Sequence, residues 1–194
     1  DGQDHPSFHF IFVLFITICV TLHALCALRR FPTSYHQCRD IKAHYRLLRH
    51  PDTTLWMIQL VTAFLLFLFV FPHVMGMLTN PSGFDPNLIG VHTYHSGMLY
   101  TFIFLVITEL HGMIGLYRLA VKWDIFAKNP ERDIIDQRIG DRAGLRKTML
   151  VIAFLMIVCG TLTAWTNYSI GAEQVEAGQE AARYVIPDEL NWWK

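Results

Sequence analysis

Charge is scarce in this sequence. Asp, Glu, Lys and Arg make up 16% of 194 residues, and the two signs cancel to a formal net charge of zero. A chain with no excess of either sign exerts no long-range pull on nucleic acid or on acidic substrates. Cysteine is sparse as well: Cys19, Cys26 and Cys159 sit in apolar runs and Cys38 in a basic segment, a spacing that gives no disulfide framework. No internal repeat, low-complexity tract, phosphate-cradling glycine loop or Ser-His-Asp order is present. A signal peptide is lacking, and the sequence begins with Asp1 rather than Met, which points to a processed or incomplete chain.

What the chain has in quantity is apolar surface. Hydrophobic residues make up 53% and aromatics 13%, with a mean hydropathy of +0.31, the profile of a membrane protein rather than a soluble domain. The apolar residues cluster in four runs, about 8–28, 53–79, 95–121 and 148–168, each near or above the ~20 residues that a helix needs to cross a bilayer. Lipid offers backbone amides no partners, so the runs must be helices. The expected fold is all-α, one polytopic transmembrane helix bundle over residues 1–194 with four spans.

Lys and Arg are distributed unevenly. Segment 29–52 holds six (Arg29, Arg30, Arg39, Lys42, Arg46, Arg49) and segment 122–147 holds seven (Lys122, Lys128, Arg132, Arg138, Arg142, Arg146, Lys147), whereas Asn80 to Tyr94 holds none. By the positive-inside rule the two basic loops are cytoplasmic, and the middle loop and both chain ends lie outside. Pro6 marks the start of the first span and Pro32 its stop. Asp52 or Thr53 is expected to cap the second, and "TNPSGFDPN" reads as an outer turn segment. At the end of the third span, Arg118 and Lys122 are placed to snorkel and Trp123 to sit at the interface. The mixed-sign loop after it suits docking to a soluble partner, with a solvated loop as the plainer alternative. Trp192 and Trp193 suit the outer interface.

Polar residues within the spans carry the chemistry. His23 lies about 9 Å inside the boundary set by Arg29, His111 about 16 Å inside that set by Lys122, and His73 about 10 Å from the outer boundary near Asn80. To within one helical turn, His23 and His111 share a layer nearer the cytoplasm and His73 belongs to an outer layer. Two such layers suggest two redox centres in line, and imidazole is a good ligand for haem iron. With no C-x-x-C-H, such a haem is held without covalent attachment. A small residue follows each histidine one turn later (Ala27, Gly76, Gly115), which gives a flat macrocycle clearance. Interhelical hydrogen bonding accounts for lone intramembrane histidines equally well, so spacing alone leaves both readings open. Glu109 stands two residues from His111, about 200° round the helix, and so is not a second ligand to the same metal. An intramembrane carboxylate is either a proton carrier or a protonated group bonded to a neighbouring helix.

"LHALCALRRFP", "RLLRHPDTTLWMIQ", "PHVMGM" and above all "ELHGMIGLYRLAVKW" resemble, in order and spacing, the second, third and fourth transmembrane segments of a known family. This is the dihaem cytochrome b anchor of quinol:fumarate reductase, within the succinate dehydrogenase and fumarate reductase superfamily. The similarity is close over about residues 1–126 and holds by pattern beyond.

The resemblance implies that His23 and His111 are the axial ligands of a proximal haem b and His73 one ligand of a distal haem b. It further implies that Trp56 and Lys122 hold haem propionates, and that Glu109 carries protons across the membrane. The implied activity moves electrons from menaquinol through both haems to an iron–sulfur subunit, and then to an FAD-bearing flavoprotein that reduces fumarate. The implied setting is a bacterial inner membrane, in a dimer of heterotrimers. The reverse direction, succinate oxidation with quinone reduction, uses the same parts. The rivals are a cytochrome b of another respiratory complex and, from a different class, a haem-free metal or proton transporter lined by His73, His111 and Glu109. The family pattern has five spans, and this sequence begins where the first outer loop would end. The expectation is therefore an incomplete sequence. The second distal ligand and the quinone-site residues stay unassigned, since His5, His9, His92 and His95 match no family position.

Overall fold

The structure, a computed structural model, describes residues 6–29, 31–48, 50–79, 85–123, 125 and 134–182. His5, Arg30, Arg49, residues 80–84, Lys128, Arg132, the Arg138 side chain, and Trp192 with Trp193 lie outside what is described. Among the described residues six helices follow in order: α1 Pro6–Leu28, α2 Tyr35–Leu48, α3 Pro51–Thr79, α4 Pro86–Ser96, α5 Met98–Lys122 and α6 Ile134–Glu176. No strand occurs among the described residues, so the fold is all-α. Among the described residues four helices are long and apolar enough to cross a membrane: Ser7–Leu28, Pro51–Thr79, Met98–Lys122 and Arg142–Glu176. Their outer faces are oily. Phe8, Phe15, Phe64, Phe67, Phe71 and Phe154 are each more than half exposed, a surface that suits acyl chains and would aggregate in water.

Local chemistry sets the helix ends. α3 begins at Pro51, one residue before the expected Asp52 or Thr53 cap. The cap is His50, whose Nδ1 accepts the Asp52 amide at 3.2 Å and whose carbonyl accepts the Thr53 and Thr54 amides at 3.1 Å. Proline explains the shift, because it favours the first helical position and drives the residue before it out of helical geometry. Two whole helices stand where loops were expected, and α6, expected from about residue 148, already begins at Ile134 inside the expected loop 122–147. α2 lies within the basic segment and starts on Ser34, whose Oγ accepts the Gln37 amide, while Gln37 Oε1 accepts the Thr33 amide, close to a capping box. α4 lies in the outer segment and is capped by Asp85, which accepts from the Asn87 and Leu88 amides, with Pro86 next in line. The run from residue 95 therefore consists of two helices, separated at Gly97 (φ 84°), a backbone region that glycine enters without strain. No proline falls between Pro130 and Pro187, and α6 runs 43 residues unbroken. It closes in a Schellman turn on Gly178 (φ 66°), with Gln179 N–H donating to Gln174 O and Gly178 N–H to Val175 O.

The chain divides into two compact units, with boundaries inside α3, α5 and α6. The first holds the described residues of 1–30, 68–103 and 161–182. Within it α4 and α6 meet backbone to backbone: a Cβ on Gly90 would lie 2.9 Å from Asn167 O and 3.0 Å from Gly171 N. Small residues allow such approach in membrane helices. Tyr94 and Tyr168 add a ring contact at 5.2 Å, and His95 meets Glu180 at 3.2 Å. Pro72, which has no amide to donate to Leu68, interrupts the α3 ladder, and close by the Tyr100 hydroxyl donates to Phe69 O at 3.3 Å. The second unit holds 31–67 and 104–160, and its core follows the inward face of α5, where Ile107, Ile114, Tyr117 and Ala120 are buried.

Candidate functional site

In the second unit, α3 and α5 face each other through polar groups placed at helical spacing. Gln59 and Thr62 stand one turn apart on α3, while His111, Gly115 and Arg118 stand at i, i+4 and i+7 on α5 and so share a face. His111 Nδ1 lies 3.2 Å from Thr62 Oγ1. One turn along, a Cβ on Gly115 would come within 3.0 Å of Gln59 Nε2, so the missing side chain makes room for the amide. Arg118 Nη1 donates to Gln59 Oε1 at 2.6 Å. A third set lies at the start of α3: Asp52 Oδ1 accepts the Tyr117 hydroxyl at 2.7 Å and stands 3.6 Å from Arg146 Nη1 of α6. One carboxylate thus joins three helices.

The Thr62 contact bears on which imidazole nitrogen carries hydrogen. Thr62 is buried, and its hydroxyl lies 2.9 Å from Ile58 O and 3.1 Å from Gln59 O. The carbonyls are acceptors only, and either can take the single hydroxyl proton. Were the hydroxyl to donate to Nδ1 instead, the roles would reverse; with a carbonyl taking the proton, Thr62 Oγ1 accepts from His111 Nδ1–H and Nε2 keeps the lone pair. A metal-binding imidazole takes this form, with one nitrogen donating to a fixed acceptor and the other directed to the metal.

The succinate dehydrogenase/fumarate reductase transmembrane subunit family matches residues 36–164. The chain belongs to this family. It is 35% identical over 173 residues to a protein named fumarate reductase cytochrome b subunit from Helicobacter pylori, covering 88% of this chain and 63% of that protein. A protein of the same name from Wolinella succinogenes is 36% identical over 169 residues, covering 86% of this chain and 61% of its own length. The chain therefore spans less than two thirds of the length of these relatives.

As a family member it keeps its candidate residues in distinct settings. His23 on α1 and His73 on α3 belong to the first unit and are exposed, as is His92 of α4. His111, Glu109 and Trp56 belong to the second unit and are half-buried, while Lys122 is exposed at the end of α5. No three His, Cys, Asp or Glu converge as a metal cage among the described residues; axial ligation of haem asks only for one imidazole from each of two helices, and a His111 ring donating through Nδ1 to Thr62 would suit that use. Two residues have neighbours that the sequence did not foretell. Arg118, expected to snorkel, is bonded to Gln59. Gly115, expected to leave clearance for a macrocycle, faces the Gln59 amide, whereas a Cβ on Gly76 would meet nothing within 4 Å. Gln59 is visible in the sequence as a polar residue in an apolar run, but its partner is not, and Thr62 does not stand out at all. Threonine in a membrane helix commonly bonds its own backbone, so a partner 49 residues away leaves no local signal.

Proposed function

We propose that the chain is the membrane-anchoring cytochrome b subunit of a bacterial inner-membrane quinol:fumarate reductase. The observation that carries the reading is identity of about 35% to two cytochrome b subunits of fumarate reductase over most of this chain. The histidines on three apolar helices and the contact of His111 with Thr62 support it.

In this reading His23 and His111 hold the iron of one haem b, and His73 supplies one ligand to a second. Haem b supplies one-electron redox chemistry, which couples a two-electron quinol to the one-electron carriers of an iron–sulfur subunit. Trp56 and Lys122 hold propionates by hydrogen bonding and charge. The basic segments 29–52 and 122–147 receive the iron–sulfur subunit, which passes electrons to a flavoprotein containing FAD that reduces fumarate. Menaquinol is the electron source, the assembly is a dimer of heterotrimers, and Glu109 takes up and releases a proton within the membrane. Succinate oxidation is the same device run backwards, its direction set by the potentials of its centres.

A reduced-minus-oxidised spectrum of the purified complex tests this. About two b-type haems per copy of the chain are expected, and His111→Ala should remove the signal of one. A complex that oxidises quinol without haem, or retention of both signals in H111A, would count against the assignment.

A further inference from the structure

We infer that Thr62 is a positioning residue that holds the His111 ring and strengthens its Nε2 as a ligand. The inference rests on the proposed function and goes beyond it, because it concerns a side chain on a different helix that touches no iron. Thr62 Oγ1 lies within hydrogen-bond distance of Ile58 O and Gln59 O and 3.2 Å from His111 Nδ1; in the proposed arrangement the hydroxyl donates to its own helix and its oxygen accepts from the ring. The contact spans α3 and α5 inside one compact unit. It restricts the turn of the imidazole about its Cβ–Cγ bond and fixes the tautomer. Donation from Nδ1–H also pushes electron density onto Nε2, which favours ferric over ferrous iron. One helical turn away, the close fit of Gln59 against Gly115 keeps the two helices in register, so the acceptor stays opposite the ring. Glu109, on the far side of α5, cannot take this role.

The test uses the assembled complex and two variants. Thr62→Val keeps the shape and removes the acceptor; Thr62→Ser keeps the acceptor and removes a methyl. The expected result is that T62V raises the midpoint potential of one haem and leaves the other unmoved, with a matching change in one low-spin ferric resonance in the electron paramagnetic spectrum, and that T62S stays at the wild-type values. Wild-type potentials and resonances in T62V would overturn the proposal. So would a T62S shift equal to that of T62V, which would assign the effect to packing, or an equal shift of both haems. Should T62V fail to assemble, Thr62→Cys, whose thiol is a poor acceptor, is read by the same criteria. A wild-type complex without haem would instead overturn the functional reading beneath this one.

Discussion

Glu109 and Arg118 are the residues for which a membrane position costs most, and the fold handles them differently. Arg118 is bonded to the Gln59 amide at 2.6 Å, a hydrogen bond to a charged group and so worth about 1.5–3 kcal/mol. A double-mutant cycle on Gln59→Leu and Arg118→Met, read from thermal unfolding in detergent, should return a coupling of about that size. A coupling near zero would mean that the short contact contributes nothing to stability. Glu109 is half-buried and lies about 200° from His111, so substituting it should leave iron ligation alone. Glu109→Gln keeps the shape and removes the carboxyl proposed to carry the proton. It should slow quinol turnover severalfold while both haem spectra persist; unchanged turnover would remove its assigned role.

At the scale of elements, the second unit is tied at the start of α3 by Asp52 and the first by bare backbone contact between α4 and α6. Tyr117 is 2% exposed, and removing its acceptor leaves a buried hydroxyl unsatisfied, a loss of about 1–3 kcal/mol. Asp52→Ala should therefore destabilise more than Tyr117→Phe, because it also releases Arg146 of α6. Equal losses would show that the Asp52–Arg146 pair is stabilising by nothing measurable. Glycines give a second contrast. Gly171→Ala drives a methyl into the Gly90 backbone and should cost about 1–3 kcal/mol by overpacking. Gly76→Ala meets nothing within 4 Å and should gain up to about 1 kcal/mol from helix propensity. If the distal haem lies against that face, G76A should disturb its spectrum without loss of stability.

The same elements show what could be read from sequence. The long apolar helices were legible because lipid demands unbroken apolar runs, a requirement no tertiary contact overrides. α2 was hidden by its charges, although "SYHQ" carries the serine and glutamine of a capping motif. In α4 the Asp-Pro pair that starts a helix was read as a turn because glycine, asparagine and another proline surround it. At the site, His111 stood out as a polar group in an apolar run. Its partner Thr62 and the joining of Asp52 to Tyr117 and Arg146 depend on which helices pack together, and that is decided by contacts far apart in the chain.

For the whole molecule, orientation follows from charge asymmetry and can be tested with the chain's own cysteines. Cys38 lies on α2 among Arg39, Lys42 and Arg46 and is exposed. Cys19, Cys26 and Cys159 are exposed too, but on apolar helices long enough to cross a membrane, where acyl chains rather than water surround the thiol. A charged, membrane-impermeant maleimide reacts with a thiolate in water and enters hydrocarbon poorly. In membranes stripped of the soluble subunits proposed to dock on α2, Cys38 should therefore be modified in inverted vesicles and spared in right-side-out ones, and Cys38→Ser should abolish the labelling while the other three thiols stay silent. Modification of Cys38 from the outer side would invert the topology. The basic segments would then face away from the iron–sulfur subunit they are proposed to receive, and the direction assigned to electron flow across the membrane would reverse with them.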